Sequence, residues 1–227
     1  MYRKDYILRL VEEMTQMISK VFGLKQERKL NEALWEIDEM LSRRFRLNAK
    51  LLKSLSAEDI VQLFRNSSMI EADQLQSVAR LLEEEAKIYR EMDRFEDGNT
   101  LLVKALHLYM TASLHGGDRH MLDMSLPDKI YELLERARPY ALPDVTERLL
   151  FAFTEQEGAY AAAEDSLFRL LQREMADYRE GKLFYERLLK LDPNELQRGG
   201  LPLEEVQEGL QEMGLRYSHK TKTKDFD

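Results

Sequence analysis

The chain has 227 residues, of which 44% are hydrophobic and 33% charged, and it contains no cysteine. A chain of this length can bury its own core, and the missing cysteines exclude thiol catalysis, disulfides and thiolate metal sites. The net charge of −8 at pH 7 disfavours nucleic acid and anionic membranes as partners, unless a local basic patch recruits them.

The first residues predict a helix rather than a targeting segment. Apolar residues recur at three- and four-residue steps over 3–22, and the predicted helix ends at Gly23. Asp5, Glu12 and Glu13 interrupt this stretch, which therefore lacks the apolar core of a signal peptide. No apolar run approaches the roughly 20 residues that a spanning helix needs, so we expect a cytoplasmic protein that does not enter a membrane.

The rest of the chain also predicts helices. A second helix is expected from 26 to 53, and Ser56 with Asp59 predicts a capping box at the start of a short helix to about 65. Further helices are predicted over 71–93, 96–114, 128–138, 143–156, 159–173, 176–191 and 202–213. No segment predicts a strand. We therefore expect an all-α fold with one domain over 1–215 and a disordered polar tail over 216–227.

A helix-turn-helix pattern recurs along the chain. Each copy has a polar turn, a large apolar residue, and a small residue three positions later. The large residues are Leu30, Phe95 and Tyr160, spaced by 65 residues, and the small ones are Ala33, Gly98 and Ala163. A small side chain at this position lets two antiparallel helices approach closely, with Ile37, Leu102 and Leu167 filling the groove four residues later. The spacing predicts a helical-repeat solenoid.

The copies resemble the tetratricopeptide repeat. That motif has a turn glycine, an aromatic residue two positions later and a small residue three beyond it, as at Gly158, Tyr160 and Ala163. The segment Y-R-E-G-K-L-F-Y-E-R-L-L-K-L-D-P at 178–193 resembles the second helix of the motif with its closing proline. The resemblance covers about half of the chain, and it implies an α-solenoid of antiparallel helix pairs.

The whole chain is also similar to a family of functionally uncharacterised helical-repeat proteins from Firmicutes. The opening Y-R-K-D-Y-I-L-R-L, the segment L-L-K-S-L-S-A-E-D-I and the closing F-Y-E-R-L-L with G-G-L-P-L-E-E-V carry this similarity. It implies a fold and no activity.

A basic stripe on the predicted second helix is one candidate partner-binding site. It consists of Arg43, Arg46, Lys50 and Lys53. At about 100° per residue these side chains fall within a sector roughly 80° wide. Such a stripe can attract an acidic peptide, a phosphorylated partner or nucleic acid, but it can also be a solvated face partly paired with Glu36 and Glu39.

The resemblance to tetratricopeptide domains implies a second candidate surface. Ligands of those domains lie along a concave face formed by the first helix of each pair. In this chain that face would carry Arg80, Glu83, Lys87, Arg90, Arg148 and Glu155. An ordinary charged face is the alternative interpretation.

Two other features are candidate sites. The loop H-G-G-D-R-H at 115–120, followed by Asp123, gathers two histidines and two carboxylates, which can ligate a metal ion. Its spacing matches no closed metal site, and a flexible loop is the simpler interpretation. Trp35 lies beside the predicted packing positions, and we expect it to be partly buried between helices; if exposed, it could anchor a partner.

These patterns predict a non-catalytic scaffold or adaptor that binds a protein or peptide partner. Known catalytic motifs are absent from the sequence, and we expect no cofactor and no metal. Self-association as a homodimer through the ends of the solenoid is a further expectation. Two alternatives stay open: an enzyme or metal-dependent protein that uses the 115–123 loop, and nucleic-acid binding through the basic stripe, whose affinity would fall steeply with salt.

Overall fold

The computed structural model describes residues 2–67, 69–120 and 124–224 and divides the chain into two compact units. The first unit ends at Ala141 and the second begins at Leu142. The described residues form twelve α-helices, one π-helical turn and one pair of two-residue strands. The prediction of an all-α fold is confirmed.

Seven of these helices lie in the first unit. They are α1 (Tyr2–Gln26), α2 (Leu30–Met40), α3 (Ala49–Ser54), α4 (Ala57–Leu63), α5 (Ala72–Glu91), α6 (Phe95–Leu114) and α7 (Leu126–Ala137). Between α4 and α5, strand β1 (Arg65–Asn66) pairs antiparallel with β2 (Met69–Ile70), where no strand was predicted. The predicted capping box at the start of α4 is confirmed, because the side chains of Ser56 and Asp59 each bond the other's backbone amide.

The second unit contains the other helices. They are α8 (Asp144–Gln156), α9 (Tyr160–Gln172), α10 (Tyr178–Leu188), α11 (Pro193–Arg198) and α12 (Leu203–Lys224). Helix α12 includes residues 216–224 of the predicted disordered tail, and 225–227 lie outside the described residues. The core of this unit consists mainly of buried Leu167, Leu170, Phe184, Tyr185, Leu188, Leu196, Leu201, Val206 and Met213.

Three helix pairs share one turn geometry, which confirms the predicted 65-residue spacing. Arg28, Asp93 and Gly158 all adopt a positive φ, of 57°, 59° and 75°. The amide of the next residue in each turn donates to the carbonyl oxygen five positions earlier, over 2.8, 2.8 and 2.9 Å. The left-handed residue and this bond together form a Schellman motif, which ends α1, α5 and α8 in the same way.

The predicted small residues lie in the packed interior of each unit. Ala33 and Ala163 have no exposed surface, and a Cβ atom added at Gly98 would lie 2.9 Å from the carbonyl oxygen of Ala86 on α5. A methyl group at position 98 would therefore collide with the backbone of α5. The large residue that begins each second helix is less uniform, because Tyr160 is buried whereas 53% of Phe95 is exposed.

The predicted helix from 26 to 53 is wrong, because the structure breaks it twice. Helix α2 ends at Met40, the π-helical turn Leu41–Phe45 follows, and Arg46 adopts a left-handed φ of 57°. Asn48 then caps α3, its side chain accepting from the amide of Leu51 at 2.8 Å. Asparagine bonds nearby backbone amides better outside a helix than within one, so its side chain favours a new helix start here.

The end of α3 is held by a lysine from α6. The ammonium of Lys104 donates to the carbonyl oxygens of Leu52, Lys53 and Leu55 at 3.0, 2.8 and 2.6 Å. These carbonyls have no partner within the short helix, so the ammonium satisfies them and fixes α3 against α6. Burial lowers the pKa of Lys104.

We predict that Ala163→Leu destabilises the second unit by about 1–3 kcal/mol, because the larger side chain overpacks a position with no free surface. Chemical denaturation measures the effect. Ala162→Leu is the matched control, because Ala162 precedes Ala163 on the same helix but is exposed. Equal denaturation midpoints for Ala163→Leu and the wild type would show that α9 does not pack closely at this position.

Candidate functional site

The predicted basic stripe does not form one continuous face. Arg43 lies in the π-helical turn, Arg46 at the left-handed bend, and Lys50 in α3. The side chains of Arg46 and Lys50 are exposed, and they make no hydrogen bond or ion pair with the residues that the structure describes. Arg43 is also exposed, but it borders a small crevice between α1 and α2 that Glu36 and Glu39 share, so acidic neighbours offset part of its charge.

The fourth residue of the stripe, Lys53, is engaged within the first unit. Its ammonium lies 2.9 Å from Oε1 of Glu85, hydrogen-bonds the hydroxyl of Tyr89 and lies 4.2 Å from the centre of that ring. Burial raises the pKa of the Glu85 carboxyl, and the charge of Lys53 opposes that rise. Lys53 therefore holds α3 against α5, and little of its charge is available to a partner.

Two residues of the second predicted surface, Arg80 and Lys87, contact a single buried carboxylate. Glu83 has no exposed surface. Nη1 of Arg80 lies 3.3 Å from Oε2 of Glu83, and Nζ of Lys87 lies 2.7 Å from Oε1. Both cations also contact Glu84, at 3.3 and 2.9 Å. The charges predicted to line a concave face are thus largely compensated along α5 itself.

Helices α6 and α7 complete the surroundings of Glu83. From α7, Nζ of Lys129 and Nη1 of Arg136 lie 3.5 and 3.4 Å from Oε1. From α6, the fully buried Tyr109 donates its hydroxyl to Oε2 at 3.2 Å. The carboxylate therefore links three helices through four cations and one phenol. We call this set of residues the Glu83 cluster.

The Glu83 cluster shifts the ionisation of its central group. Burial alone would raise the pKa of Glu83, but the charges of Lys87, Arg80 and Lys129 outweigh it and lower the pKa to about 2. The cluster was missed from the sequence because polar residues at three- and four-residue steps on α5 look like a solvated face. One available signal was the width of the apolar sector of α5, which spans about half of the helix, from Leu81 through Leu82 to Ala86.

The other two cations predicted for this surface, Arg90 and Arg148, differ from one another, and the remaining residue, Glu155, accepts from Arg187 at 2.7 and 2.8 Å. Arg90 is half-buried, and its side chain packs beside Gly98, without a hydrogen bond or ion pair to any described residue. In the second unit, Nη1 of Arg148 lies 2.5 Å from Oε1 of Glu180 on α10, and Nη2 donates to the carbonyl oxygen of Met175. Arg148 thus connects α8 to the segment before α10 and to α10 itself.

The loop after α6 is tied to the protein by hydrogen bonds. Nδ1 of His115 donates to the carbonyl oxygen of Thr111 at 2.8 Å, and the amide of Asp118 donates to Oδ1 of Asp73 at 2.9 Å. His120 is exposed, and Asp123 lies outside the described residues. Within the described ranges, no group of three or more histidine, aspartate or glutamate side chains is arranged to hold a metal ion.

Trp35 differs most from its prediction. The expected partial burial is wrong, since 60% of its surface is exposed. At about 100° per residue, it lies roughly opposite Ala33, Ile37 and Met40, which face the core. It is the only tryptophan of the chain, and Phe22 on α1 of the same helix pair is also 60% exposed.

Repeated helix pairs, a buried ion cluster and an exposed aromatic residue define an all-α protein of helical hairpins. Residues 1–218 match a family of unknown function, DUF6483, and the chain belongs to that family. Comparisons with curated proteins and with solved structures find no match. In the described part of the chain, no helix is both long and apolar enough to cross a membrane.

We predict that Glu83→Gln removes a pH-dependent part of the stability. The pKa of Glu83 is lowered from 4.5 to about 2, so the carboxylate stabilises the fold above about pH 4.5 and this contribution is lost as the pH falls towards 2. The shift corresponds to about 3 kcal/mol. At pH 7 we expect a loss of about 3 kcal/mol, because the four cations lose the carboxylate that they share and keep only their contacts with Glu84 and with Glu132 on α7.

Urea denaturation between pH 7 and pH 2.5 measures both effects. Glu135→Gln on α7 is the matched control, because the side chain of Glu135 is 76% exposed. We expect this control to change the stability at pH 7 by less than about 0.5 kcal/mol. If Glu83→Gln behaves like Glu135→Gln, the carboxylate does not hold the three helices together.

Proposed function

We propose that this protein is a cytoplasmic, non-catalytic adaptor that binds another protein through a short tetratricopeptide-like solenoid. The shared Schellman turns of the pairs α1–α2, α5–α6 and α8–α9 support a repeat of this kind. Repeats of helix pairs present long surfaces whose side chains vary without disturbing the packed positions. The proposed activity is therefore binding.

The observation that carries this proposal is the exposure of Trp35. Tryptophan is enriched among the residues that contribute most to binding energy at protein interfaces. Here its ring projects from the outer face of α2, with 60% of its surface exposed, where it contributes little to the core. A partner that covers this ring would bury a large apolar area.

The exposed cations of this region suggest the chemistry of the partner. Arg46 and Lys50 follow α2 in the chain and make no ion pair with the described residues. An acidic segment with an apolar or aromatic side chain would complement both features, since opposite charges steer association and buried apolar groups supply affinity. Arg43 would contribute less, because Glu36 and Glu39 lie beside it.

The other predicted cations are poor candidates for this contact. Arg80, Lys87 and Lys53 are committed to carboxylates within the first unit, and Arg148 to one within the second. The carboxylates that pair with Arg80, Lys87 and Lys53 are buried, and breaking such a pair to contact a partner costs more than the partner's own charge returns. The proposed site therefore consists of Trp35, Arg46 and Lys50, with Arg43 at its edge.

Nucleic acid fits this surface less well than protein. Two exposed cations would neutralise about two phosphates, whereas stable binding to a duplex commonly uses about 6–10 contacts. The net charge of −8 also opposes it. Binding to nucleic acid would show itself by an affinity that falls steeply with salt and does not depend on Trp35.

We predict that a partner captured from native cells by the tagged protein is lost with either of two variants. Trp35→Ala removes the aromatic anchor, and Arg46→Glu/Lys50→Glu reverses the exposed charge. Truncating an anchor residue costs about 2 kcal/mol or more, so the dissociation constant of the captured partner should rise about thirtyfold or more. Affinity capture identifies the partner, and titration with purified partner measures the change.

Arg179→Glu/Lys190→Glu is the matched control for the charge reversal. Both residues are exposed in the second unit, and their side chains have no ion pair among the described residues. The control changes the net charge by the same amount and should leave capture intact. A partner retained equally by all variants, each with an unchanged melting temperature, would contradict the proposed site.

A further inference from the structure

A cavity of about 870 Å³ lies in the first unit, next to the β1–β2 hairpin. Its volume is within the range of about 300–1,000 Å³ that is typical of small-molecule sites. The wall is formed by Tyr6 of α1, the strand hairpin, residues 71–74 at the start of α5, and His115 with Gly116 after α6. None of the residues proposed above to bind a protein partner belongs to this wall.

The charge of the lining residues has one sign. Glu71 and Asp73 contribute carboxylates, and no lysine or arginine is among the residues that line the cavity. Burial raises the pKa of the Tyr6 hydroxyl, Arg44 lowers it, and the charges of Glu71 and Asp73 raise it. Both carboxylates therefore act on another residue of the wall, and together they favour a positive ligand over a negative one.

The cavity also has the groups that a cation with an apolar stem requires. Ile70 and the 75% exposed Met69 give one wall an apolar surface. The guanidinium carbon of this chain's own Arg44 lies 5.1 Å from the centre of the Tyr6 ring and occupies one of its faces, so only the other face can accept a ligand cation. The amide of Asp118 holds the carboxylate of Asp73 in place, and a fixed acceptor loses less entropy on binding.

A second observation comes from Gln76, one turn after Ala72 and Asp73 on α5. Its side chain is fully buried, and both Nε2 and Oε1 have no hydrogen-bond partner in the described part of the chain. A Cβ atom added at Gly117 would lie 3.1 Å from Oε1, which places this amide beside the Gly116 side of the wall. Gln76 does not itself line the cavity, but an unpaired buried amide costs free energy, so the first turns of α5 beside the cavity carry polar groups that the fold itself does not satisfy.

We propose that this cavity binds an organic cation, a guanidinium or ammonium group on an apolar stem. The charged group lies at Glu71 and Asp73, and the stem lies along Tyr6, Met69 and Ile70. The loop that the sequence singled out for its histidines thus contributes His115 to the wall of a binding cavity. The ligand is either a free amine or an arginine or lysine side chain of a peptide, which share this chemistry.

Agmatine is the first probe, because it has a guanidinium and an ammonium group on a short alkyl stem. We expect a titration followed by ¹H–¹⁵N NMR to show saturable shifts at the lining residues. The dissociation constant should rise about tenfold in Glu71→Gln, which loses one charge-assisted contact. Glu135→Gln, the same change at an exposed position of the same unit, should leave it unchanged.

Two other probes define the ligand. Succinate should not bind, because its charge matches that of the cavity. N-acetyl-arginine amide separates the two sources: tighter binding than agmatine favours a peptide side chain, and weaker binding favours a free amine.

Comparison of melting temperatures shows whether Glu71→Gln still folds, and Asp73→Asn provides a second variant if it does not. Agmatine shifts that spread over the surface, or that both folded variants leave unchanged, would overturn the proposal.

Discussion

The first unit depends on the compensation of one buried negative charge. A carboxylate with no exposed surface at Glu83 is tolerable only while enough positive charge and hydrogen bonds surround it, and no single helix of this unit supplies them all. Arg80 and Lys87 come from the same helix, Lys129 and Arg136 from α7, and Tyr109 from α6. Because these partners come from three helices and all contact one carboxylate, the carboxylate fixes how α5, α6 and α7 pack.

This constraint also determines where the protein can bind something else. Cations that surround a buried carboxylate are unavailable to a partner, which removes much of the predicted concave surface from consideration. Other charged groups of the first unit are exposed or line the cavity: Arg46 and Lys50 follow α2 in the chain, and Glu71, whose carboxylate accepts from the side chain of Gln74, lies in the wall of the acidic cavity. The two surfaces have opposite charge and different shape. The two proposals therefore assign them different ligands, a protein segment on the outer face of α2 and a small organic cation beside the hairpin.

The sequence predicted the repeating parts of the fold because close packing leaves a periodic pattern. Ala33, Gly98 and Ala163 were correctly identified from their spacing alone, since only small residues fit where two helices nearly touch. The break after Met40 was missed, because apolar residues continue at helical spacing through a π-helical turn and no proline or glycine marks the bend. The burial of Glu83 and the exposure of Trp35 were missed for one reason. Both depend on which other helices pack against a given helix face, and this tertiary packing is not visible in the sequence pattern of a single helix.

A double-mutant cycle between Glu83→Gln on α5 and Lys129→Met on α7 tests the role of the buried carboxylate most directly. The free energies of unfolding of the wild type, both single variants and the double variant give the coupling between the two side chains. We predict a coupling of about 1–3 kcal/mol, against less than about 0.5 kcal/mol for the exposed pair Glu135 and Arg138 measured in the same way. Equal, near-zero couplings for both pairs would contradict the account, because α7 would then pack on the first unit without its contact to Glu83.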